Sequence, residues 1–276
     1  MTRAEAKNDK SIDLFAVRSI LFLPASNPRA IAKAREAGAD LVVLDLEDAV
    51  KADDKAAARK AAVEAVADRW SMPVAIRING VGSKWHSPDL DAVARSNADL
   101  VVIPRAISAH LVLEVAETVS KPVLAMIETA AGVLAGPQIA QNCAALIAGT
   151  NDLRADLRLP LGARRETISA SLQMIVLAAR AAGIAAFDGV FNNLDDADGF
   201  IAEAQDGRRL GFDGKSLIHP NQIALCHRAF APDDAEVERA KALVAAFRGG
   251  AERFGNEMIE RMHVTAAQRV LERAGD

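Results

Sequence analysis

Eight short apolar runs alternate with helix-like stretches between residues 18 and 213, and this alternation constrains the fold more than any other feature of the chain. The runs are Arg18–Pro24, Leu41–Asp45, Pro73–Asn79, Asp99–Pro104, Pro122–Glu128, Ala144–Gly149, Gly183–Asp188 and Leu210–Asp213. The helical stretches between them are Asn27–Ala37, Asp54–Arg69, Leu90–Asn97, Ala109–Val119, Val133–Gln141, Arg165–Ala182 and Asp195–Asp206. Regular alternation of strand and helix predicts a parallel sheet covered by helices.

Eight is the number of strands that closes a TIM (β/α)8 barrel, and 276 residues suit a fold for which about 250 is typical. An open doubly wound sheet is the alternative, but it usually carries a glycine-rich phosphate turn after its first strand. Here the first run leads into Pro-Ala-Ser-Asn-Pro at 24–28, without glycine. The composition agrees, because 51% hydrophobic and only 4% aromatic residues suit strands buried on both faces. We therefore predict a TIM barrel over residues 1–230.

Residues 231–276 differ because they contain no apolar run and hence no predicted strand. Asp233–Phe247 and Val264–Ala274 have the pattern of amphipathic helices, and Arg248–Ala251 that of a turn. An exposed amphipathic appendage often packs on a neighbouring subunit. The sequence thus predicts a helical C-terminal extension and a homo-oligomer.

Composition also disfavours several classes of protein. A net charge of −4 without a basic patch argues against nucleic-acid binding. The chain lacks a stretch of about 18 apolar residues, which argues against a membrane span, and its first ten residues lack the apolar core of a signal peptide. Cys143 and Cys226 are far apart and predict free thiols in a reducing compartment. A cytoplasmic protein is the expectation.

Charged side chains collect where the predicted strands end, which is the face of a barrel that carries function. The second strand runs into Glu47 and Asp48, the fifth into Glu128, and the sixth into Asn151 and Asp152. Glu128 and Asp152 follow neighbouring strands, and two carboxylates without a nearby His or Cys suit Mg²⁺. Alternatively, Asp152 caps the following helix and Glu128 forms a salt bridge at the rim.

Arg77 lies inside the apolar run Pro73–Asn79, where a guanidinium must find an anion. Its partner is either a rim acid such as Asp45 or Glu47, or a substrate carboxylate that it grips with two hydrogen bonds. Both pairings can hold in turn.

Six segments, in order over roughly residues 18–230, resemble the citrate lyase β-subunit family, which includes citryl-, malyl- and citramalyl-CoA lyases. They are Arg18–Pro28, Asp45–Val50, Arg77–Gly80, Ile127–Val133, Gly149–Leu153 and Phe212–Pro220.

The resemblance implies a TIM barrel, Mg²⁺, and a small acyl thioester carried by CoA or an acyl-carrier protein. It also implies a trimer or hexamer. The predicted site comprises Glu128 and Asp152 as metal ligands, Arg77, Glu128 and Asn151 as substrate contacts, Arg77, Glu47, Asp48 and Glu260 as catalytic residues, and Ser26, Asn27 and Lys215 as CoA contacts.

The chain departs from the family pattern at three positions. Ala25 stands where the family often has glycine, and Arg105 where it often has lysine. In the CoA-lyase branch a tail aspartate reaches into a neighbouring subunit as the catalytic acid or base. Glu260 occupies the comparable position here, one methylene longer, and the following proline is absent. A displacement of about 1 Å can slow a reaction ~10²-fold, so either Glu260 acts with a shifted backbone or the chemistry differs.

The resulting hypothesis is a Mg²⁺-dependent retro-Claisen cleavage of a 3-hydroxy-3-carboxyacyl thioester to a 2-oxo acid and an acetyl thioester. Arg77 would bind the carboxylate, and Glu260 of a neighbouring chain would protonate the enolate. Three alternatives remain open: a thioesterase that hydrolyses a malyl-type thioester on the same fold, a CoA-independent metal aldolase, and a non-catalytic or complex-dependent subunit.

Overall fold

Eight parallel strands close into a barrel, in sequence order, in the computed structural model, which describes residues 12–275. The strands are β1 Ser19–Pro24, β2 Leu41–Asp45, β3 Val74–Arg77, β4 Leu100–Ile103, β5 Val123–Ile127, β6 Ala145–Ala148, β7 Ala185–Asp188 and β8 Gly214–Leu217. The helices around them are α1 Pro28–Ala34, α2 Lys55–Ala67, α3 His86–Ala94, α4 Ala109–Val119, α5 Ala130–Leu134, α6 Gly136–Ala140, α7 Thr150–Asp156, α8 Ser169–Ala182, α9 Ala197–Leu210 and α10 Gln222–Phe230. The predicted TIM barrel is confirmed.

Alternate residues of the strands pack together as an apolar core, since successive side chains of a strand point to opposite faces. Val43 of β2, Ala75 of β3 and Met126 of β5 belong to this core. Asp45, Arg77 and Glu128 each lie two residues further along the sequence, so the alternation points their side chains to the same side as the core residues. The charged site therefore continues the inward-facing rows of the barrel directly above its aliphatic core.

Seven of the eight predicted strands coincide with observed ones, but the eighth was wrong. Leu210 ends α9, and the closing strand begins four residues later than expected, at Gly214. The reason is Lys215, which lies inside β8 and is fully buried because two carboxylates surround it. A strand that contains a buried lysine does not form an apolar run. Similarly, the predicted helix over 133–141 is two short helices, α5 and α6.

The chain divides into two compact units, 12–226 and 227–275 over the described residues, so the break lies a few residues before the predicted one at 230. The second unit contains α11 (Asp234–Ala246), β9 (Glu252–Phe254), β10 (Glu257–Ile259) and α12 (Arg261–Ala274). The prediction of a strand-free tail was wrong, because β9 and β10 form an antiparallel hairpin. These strands are three residues long and largely exposed, so their sequence shows no apolar run. Packing of the tail on a neighbouring subunit stays a prediction.

Both cysteines are free thiols, as expected, although Cys143 is only partly buried. Over residues 12–275, each helix is too short or too polar to cross a bilayer.

Candidate active site

A cavity of about 380 Å³ opens where the barrel strands end. This volume lies within the range of small-molecule sites. Among the described residues, one guanidinium and four carboxylates line it: Arg77, Asp45, Asp48, Glu128 and Asp152. A bound cation would offset this excess of negative charge inside a partly enclosed space.

Glu128 directly follows β5 and is almost fully buried. Its Oε1 accepts a 2.6 Å hydrogen bond from the backbone N–H of Arg105, which fixes the carboxylate. Burial raises the pKa of Glu128 to about 7; the Arg105 hydrogen bond opposes this rise, and the charge of Asp152 adds to it. A carboxylate that is costly to ionise in this way is a natural ligand for a metal ion.

Asp152 lies in the first turn of α7, the helix that follows the neighbouring strand β6. It does not cap the helix, because Gly149 occupies the cap position. Its side chain is 41% exposed, and its Oδ1 lies 3.7 Å from Nη1 of Arg105. The N-cap alternative for Asp152 is thus excluded, and its partly exposed carboxylate lines the cavity.

Arg77 ends β3 opposite Asp45, which ends β2. Nε and Nη2 of Arg77 donate 2.7 and 2.6 Å hydrogen bonds to the two carboxylate oxygens of Asp45. Burial opposes the charge of Arg77, but these hydrogen bonds and the surrounding acids raise its pKa above the ordinary value. Since Asp45 takes Nε and Nη2, Nη1 is the guanidinium nitrogen that remains for other partners.

Glu47 and Asp48 both lie near Nη1 of Arg77, at 2.9 Å and 4.0 Å. Rim acids are therefore the partners of Arg77 in this structure, as one of the two sequence interpretations predicted. Burial raises the pKa of Glu47 to about 8, and the Arg77 charge only partly opposes this. Asp48, in contrast, is exposed.

A buried polar network that the sequence analysis missed holds the loop carrying these acids. Lys55 Nζ donates to the carbonyl oxygens of Leu46 and Glu47 and to Oδ1 of Asn79, all within 2.8 Å. Asn79 Nδ2 in turn donates to Asp89, which is fully buried. These residues come from α2, the end of β3 and α3, so no local pattern could have revealed their contact. The network fixes the backbone of the loop that carries Glu47.

Three other predicted residues lie a few positions beyond the ends of strands, Asn151 in α7 and Ser26 and Asn27 before α1. Asn151 forms a reciprocal amide pair with Asn192 at the cavity wall, with bonds of 3.2 and 2.8 Å. Ser26 and Asn27 are exposed beyond Pro24, which lines the cavity, and Asn27 caps α1 through its side chain. Their proposed contact with CoA stays a prediction.

Lys215 does not lie where a CoA contact requires it, and this expectation needs correction. Its ammonium group is fully buried and lies 2.9 Å from Asp188 of β7 and 2.8 Å from Glu203 of α9. Arg165 completes the cluster with a 3.0 Å ion pair to Asp188 and a 2.9 Å pair to Asp206. With both neighbouring carboxylates satisfied, Lys215 is a structural residue between the barrel wall and α9.

Glu260 is exposed at the start of α12, in the second unit, and its backbone N–H donates to His263 Nδ1 at 2.9 Å. Its catalytic role stays a prediction.

Residues 18–220 match the family described as HpcH/HpaI aldolase/citrate lyase. The chain belongs to this family. It is 38% identical to a (3S)-malyl-CoA thioesterase of Cereibacter sphaeroides (strain ATCC 17025 / ATH 2.4.3), covering 93% of this chain and 94% of that protein. It is 33% identical to citrate lyase subunit beta of Leuconostoc mesenteroides subsp. cremoris, covering 93% of each.

Among solved structures, protein CitE of Mycobacterium tuberculosis in complex with magnesium, acetoacetate and coenzyme A is similar, with a TM-score of 0.85 and 34% identity. The match covers 95% of this chain and 100% of that one. The predicted family is confirmed, and this HpcH/HpaI family chain is an enzyme.

The residues that line this cavity suit a hard divalent cation. Glu128 and Asp152 supply oxygen donors, and the described residues contain no group of three or more His, Cys, Asp or Glu that could enclose a metal by themselves. Magnesium-type sites commonly use one or two carboxylates and leave the other positions to water or substrate. Gly149 leaves space for the Glu128 side chain, because a Cβ at position 149 would overlap Cβ and Oε2 of Glu128.

This contact makes Gly149 a test of the site. Gly149→Ala is expected to displace the Glu128 carboxylate and to lower activity about 10²-fold, since a shift of about 1 Å can have that effect. Gly80→Ala is the matched control, because a Cβ at Gly80 meets its nearest neighbour, Pro104, at an ordinary 3.9 Å. Equal activity of the two variants, measured alongside divalent-cation affinity, would contradict the assignment.

Proposed function

We propose that this chain is a Mg²⁺-dependent lyase that cleaves a 3-hydroxy-3-carboxyacyl thioester to a 2-oxo acid and an acetyl thioester. One observation carries the proposal: a fixed guanidinium and two carboxylates from adjacent strand ends share a single small cavity. A guanidinium suits a substrate carboxylate, and a metal ion between two carboxylates can bind a hydroxyl together with its neighbouring carboxylate.

Glu128 and Asp152 would hold the magnesium ion. When bound, it acts as a Lewis acid that stabilises negative charge developing on substrate oxygens. Arg77 binds the substrate carboxylate through Nη1, while Asp45 prevents the guanidinium from turning away. The apolar floor below, which includes Phe22 and Met126, excludes water from the cleaved bond.

Glu47 supplies a group that holds a proton at neutral pH, because burial raises its pKa to about 8. Its Oε2 lies 2.9 Å from Nη1 of Arg77, so a substrate carboxylate bound there meets a hydrogen-bond donor rather than a second negative charge. Asp48, being exposed and 4.0 Å from the same nitrogen, stays at the rim. We assign Glu47 the role of positioning the substrate and of moving a proton at its carboxylate.

A thioesterase is the second candidate, and the 38% identity to proteins named (3S)-malyl-CoA thioesterase favours it. The same cavity would hold the same hydroxy acid, but a water molecule would attack the thioester carbonyl, and the carbon–carbon bond would survive. The two reactions share Arg77, Glu128 and Asp152, so variants of these residues do not separate them.

The products separate the two candidates. The purified protein is incubated with Mg²⁺ and malyl-, citramalyl- and citryl-CoA, and the products are identified by mass spectrometry. A 2-oxo acid with acetyl-CoA indicates the lyase, whereas free CoA with an intact hydroxy acid indicates the thioesterase. Turnover that appears only after other subunits are added would indicate a complex-dependent role.

We also propose that Glu260 of a neighbouring copy completes the site in a trimer or hexamer. Separate Glu260→Ala and Glu128→Gln chains are each expected to be inactive. Chains mixed under conditions that allow subunit exchange are expected to regain activity, because some sites then combine an intact Glu128 with an intact Glu260. Absence of recovery in demonstrably mixed oligomers would contradict the shared site.

Magnesium affinity is expected to fall as pH decreases through 7. Burial raises the pKa of Glu128 to about 7, so in the metal-free protein a proton increasingly occupies this carboxyl below that pH. The ion must displace this proton, and each further pH unit therefore weakens apparent affinity about tenfold. Titration calorimetry at pH 6, 7 and 8, in buffers of different ionisation enthalpy, measures both affinity and proton release. Constant affinity over this range would refute the prediction.

A further inference from the structure

Arg105 touches both of the carboxylates assigned to the metal, although the sequence analysis gave it no role in the site. Its backbone N–H donates to Glu128 Oε1 at 2.6 Å, and its guanidinium Nη1 lies 3.7 Å from Asp152 Oδ1. Arg105 thus contacts Glu128 through its backbone and Asp152 through its side chain.

The backbone of Arg105 has φ +48°, in the left-handed region that residues with a Cβ seldom adopt. Such conformations persist where surrounding contacts enforce them, and they concentrate at functional sites. Here the conformation follows Pro104 at the end of β4 and aims the N–H at Glu128. The backbone role is independent of the side chain, since any residue with an N–H could donate this bond.

The side chain therefore needs its own explanation. It is 53% exposed and shares no fixed hydrogen bond with Asp152, so it can move. The guanidinium that lines the cavity, Arg77, is held by Asp45. Arg105 is consequently the cation best placed to balance Asp152 before a metal binds.

We propose that Arg105 is a displaceable counter-ion, which pairs with Asp152 before the metal binds and turns to the anionic part of the substrate afterwards. The inference rests on the proposed function. A divalent cation and a guanidinium compete for the same carboxylate oxygens and repel each other at such short range. Metal binding therefore releases the guanidinium beside Asp152, which lines the cavity. Among the described lining residues, Arg77 is the one cationic side chain that could bind an anion there.

Arg105→Gly tests this, because glycine adopts a positive φ freely and keeps the N–H that binds Glu128. Titration calorimetry with MgCl₂ alone is expected to show about two- to fivefold tighter binding than wild type, the range for a partly exposed ion pair. The gain should shrink at high ionic strength. With saturating Mg²⁺, pyruvate as the probe is expected to bind about fivefold more weakly to the variant.

Arg105→Lys is the charge-preserving control and should resemble wild type in Mg²⁺ affinity. Arg158→Gly is the backbone control, since Arg158 also has a positive φ, +55°, and is exposed outside the cavity. Unchanged or weaker Mg²⁺ binding by Arg105→Gly would overturn the inference, as would unchanged pyruvate binding. If wild type itself binds no Mg²⁺, the proposed function fails instead.

Discussion

Glu128→Gln and Asp152→Asn enzymes are expected to lose about three orders of magnitude in Mg²⁺-dependent activity while remaining folded. Metal ions contribute several kcal/mol of charge stabilisation in the transition state, and about 1.4 kcal/mol corresponds to a factor of ten. The amide oxygen that Glu128→Gln introduces can still accept the Arg105 hydrogen bond, so the site should keep its shape. Steady-state kinetics over a Mg²⁺ titration measure the loss.

Measurements of folding stability distinguish the loss of a metal ligand from damage to the fold in these variants. The folded-state pKa of Glu128 is raised by burial from 4.5 to about 7, so its ionisation destabilises the metal-free fold as pH rises through that interval. At pH 8 this amounts to roughly 3 kcal/mol, and the Glu128→Gln protein should be at least as stable as wild type without Mg²⁺. Added Mg²⁺ should stabilise wild type but not the variant.

Asp195→Asn is the matched control for both experiments, because Asp195 is an exposed acid outside the cavity. It should leave activity and Mg²⁺-dependent stabilisation unchanged. If Glu128→Gln and Asp152→Asn retain metal-dependent turnover near the wild-type level, the assignment of the two ligands is wrong.

Arg77→Gln is expected to lower the free energy of unfolding by about 3–5 kcal/mol, in addition to abolishing substrate binding. Asp45 is 1% exposed and would lose both of its guanidinium hydrogen bonds, and removing one partner of a buried ion pair leaves an uncompensated charge. Urea denaturation followed by circular dichroism measures the stability change.

A double variant distinguishes the stability role of Arg77 from its function. Arg77→Met combined with Asp45→Asn removes both charges. The amide oxygen that Asp45→Asn introduces can still accept the backbone N–H of Glu47, which Asp45 accepts at 2.8 Å. Most of the lost stability should return, but turnover should not. Recovery of activity in the double variant would show that Arg77 acts only by holding Asp45.

The barrel and its acidic rim were predictable because each depends on local pattern. A parallel strand buried on both faces is an apolar run, and the residue after the run must lie at the functional edge. This placed Glu128 and Asp152 correctly at neighbouring strand ends. It also indicated that Arg77 needs an anionic partner, although it did not decide between Asp45, Glu47 and a substrate.

The contacts that escaped prediction all depend on tertiary structure. Lys55 and Asn79 meet behind the Glu47 loop although 24 residues separate them. Arg105 acts on Glu128 through a backbone N–H, which every residue but proline has, so its identity carried no signal. The tail hairpin was missed because its short strands are too exposed to form an apolar run.

The ion cluster around Lys215 has a consequence for how the barrel finds its closing register. The residues of β8 are Gly-Lys-Ser-Leu, so apolar alternation specifies their orientation weakly. A shift of one residue would turn Lys215 towards the aliphatic interior and leave Asp188 without its ammonium partner. Misaligned closure would thus bury an unpaired ammonium group in the interior and leave Asp188 with Arg165 as its remaining cationic partner. Lys215, which made β8 unrecognisable as an apolar run, therefore favours one register of the strand that closes the barrel.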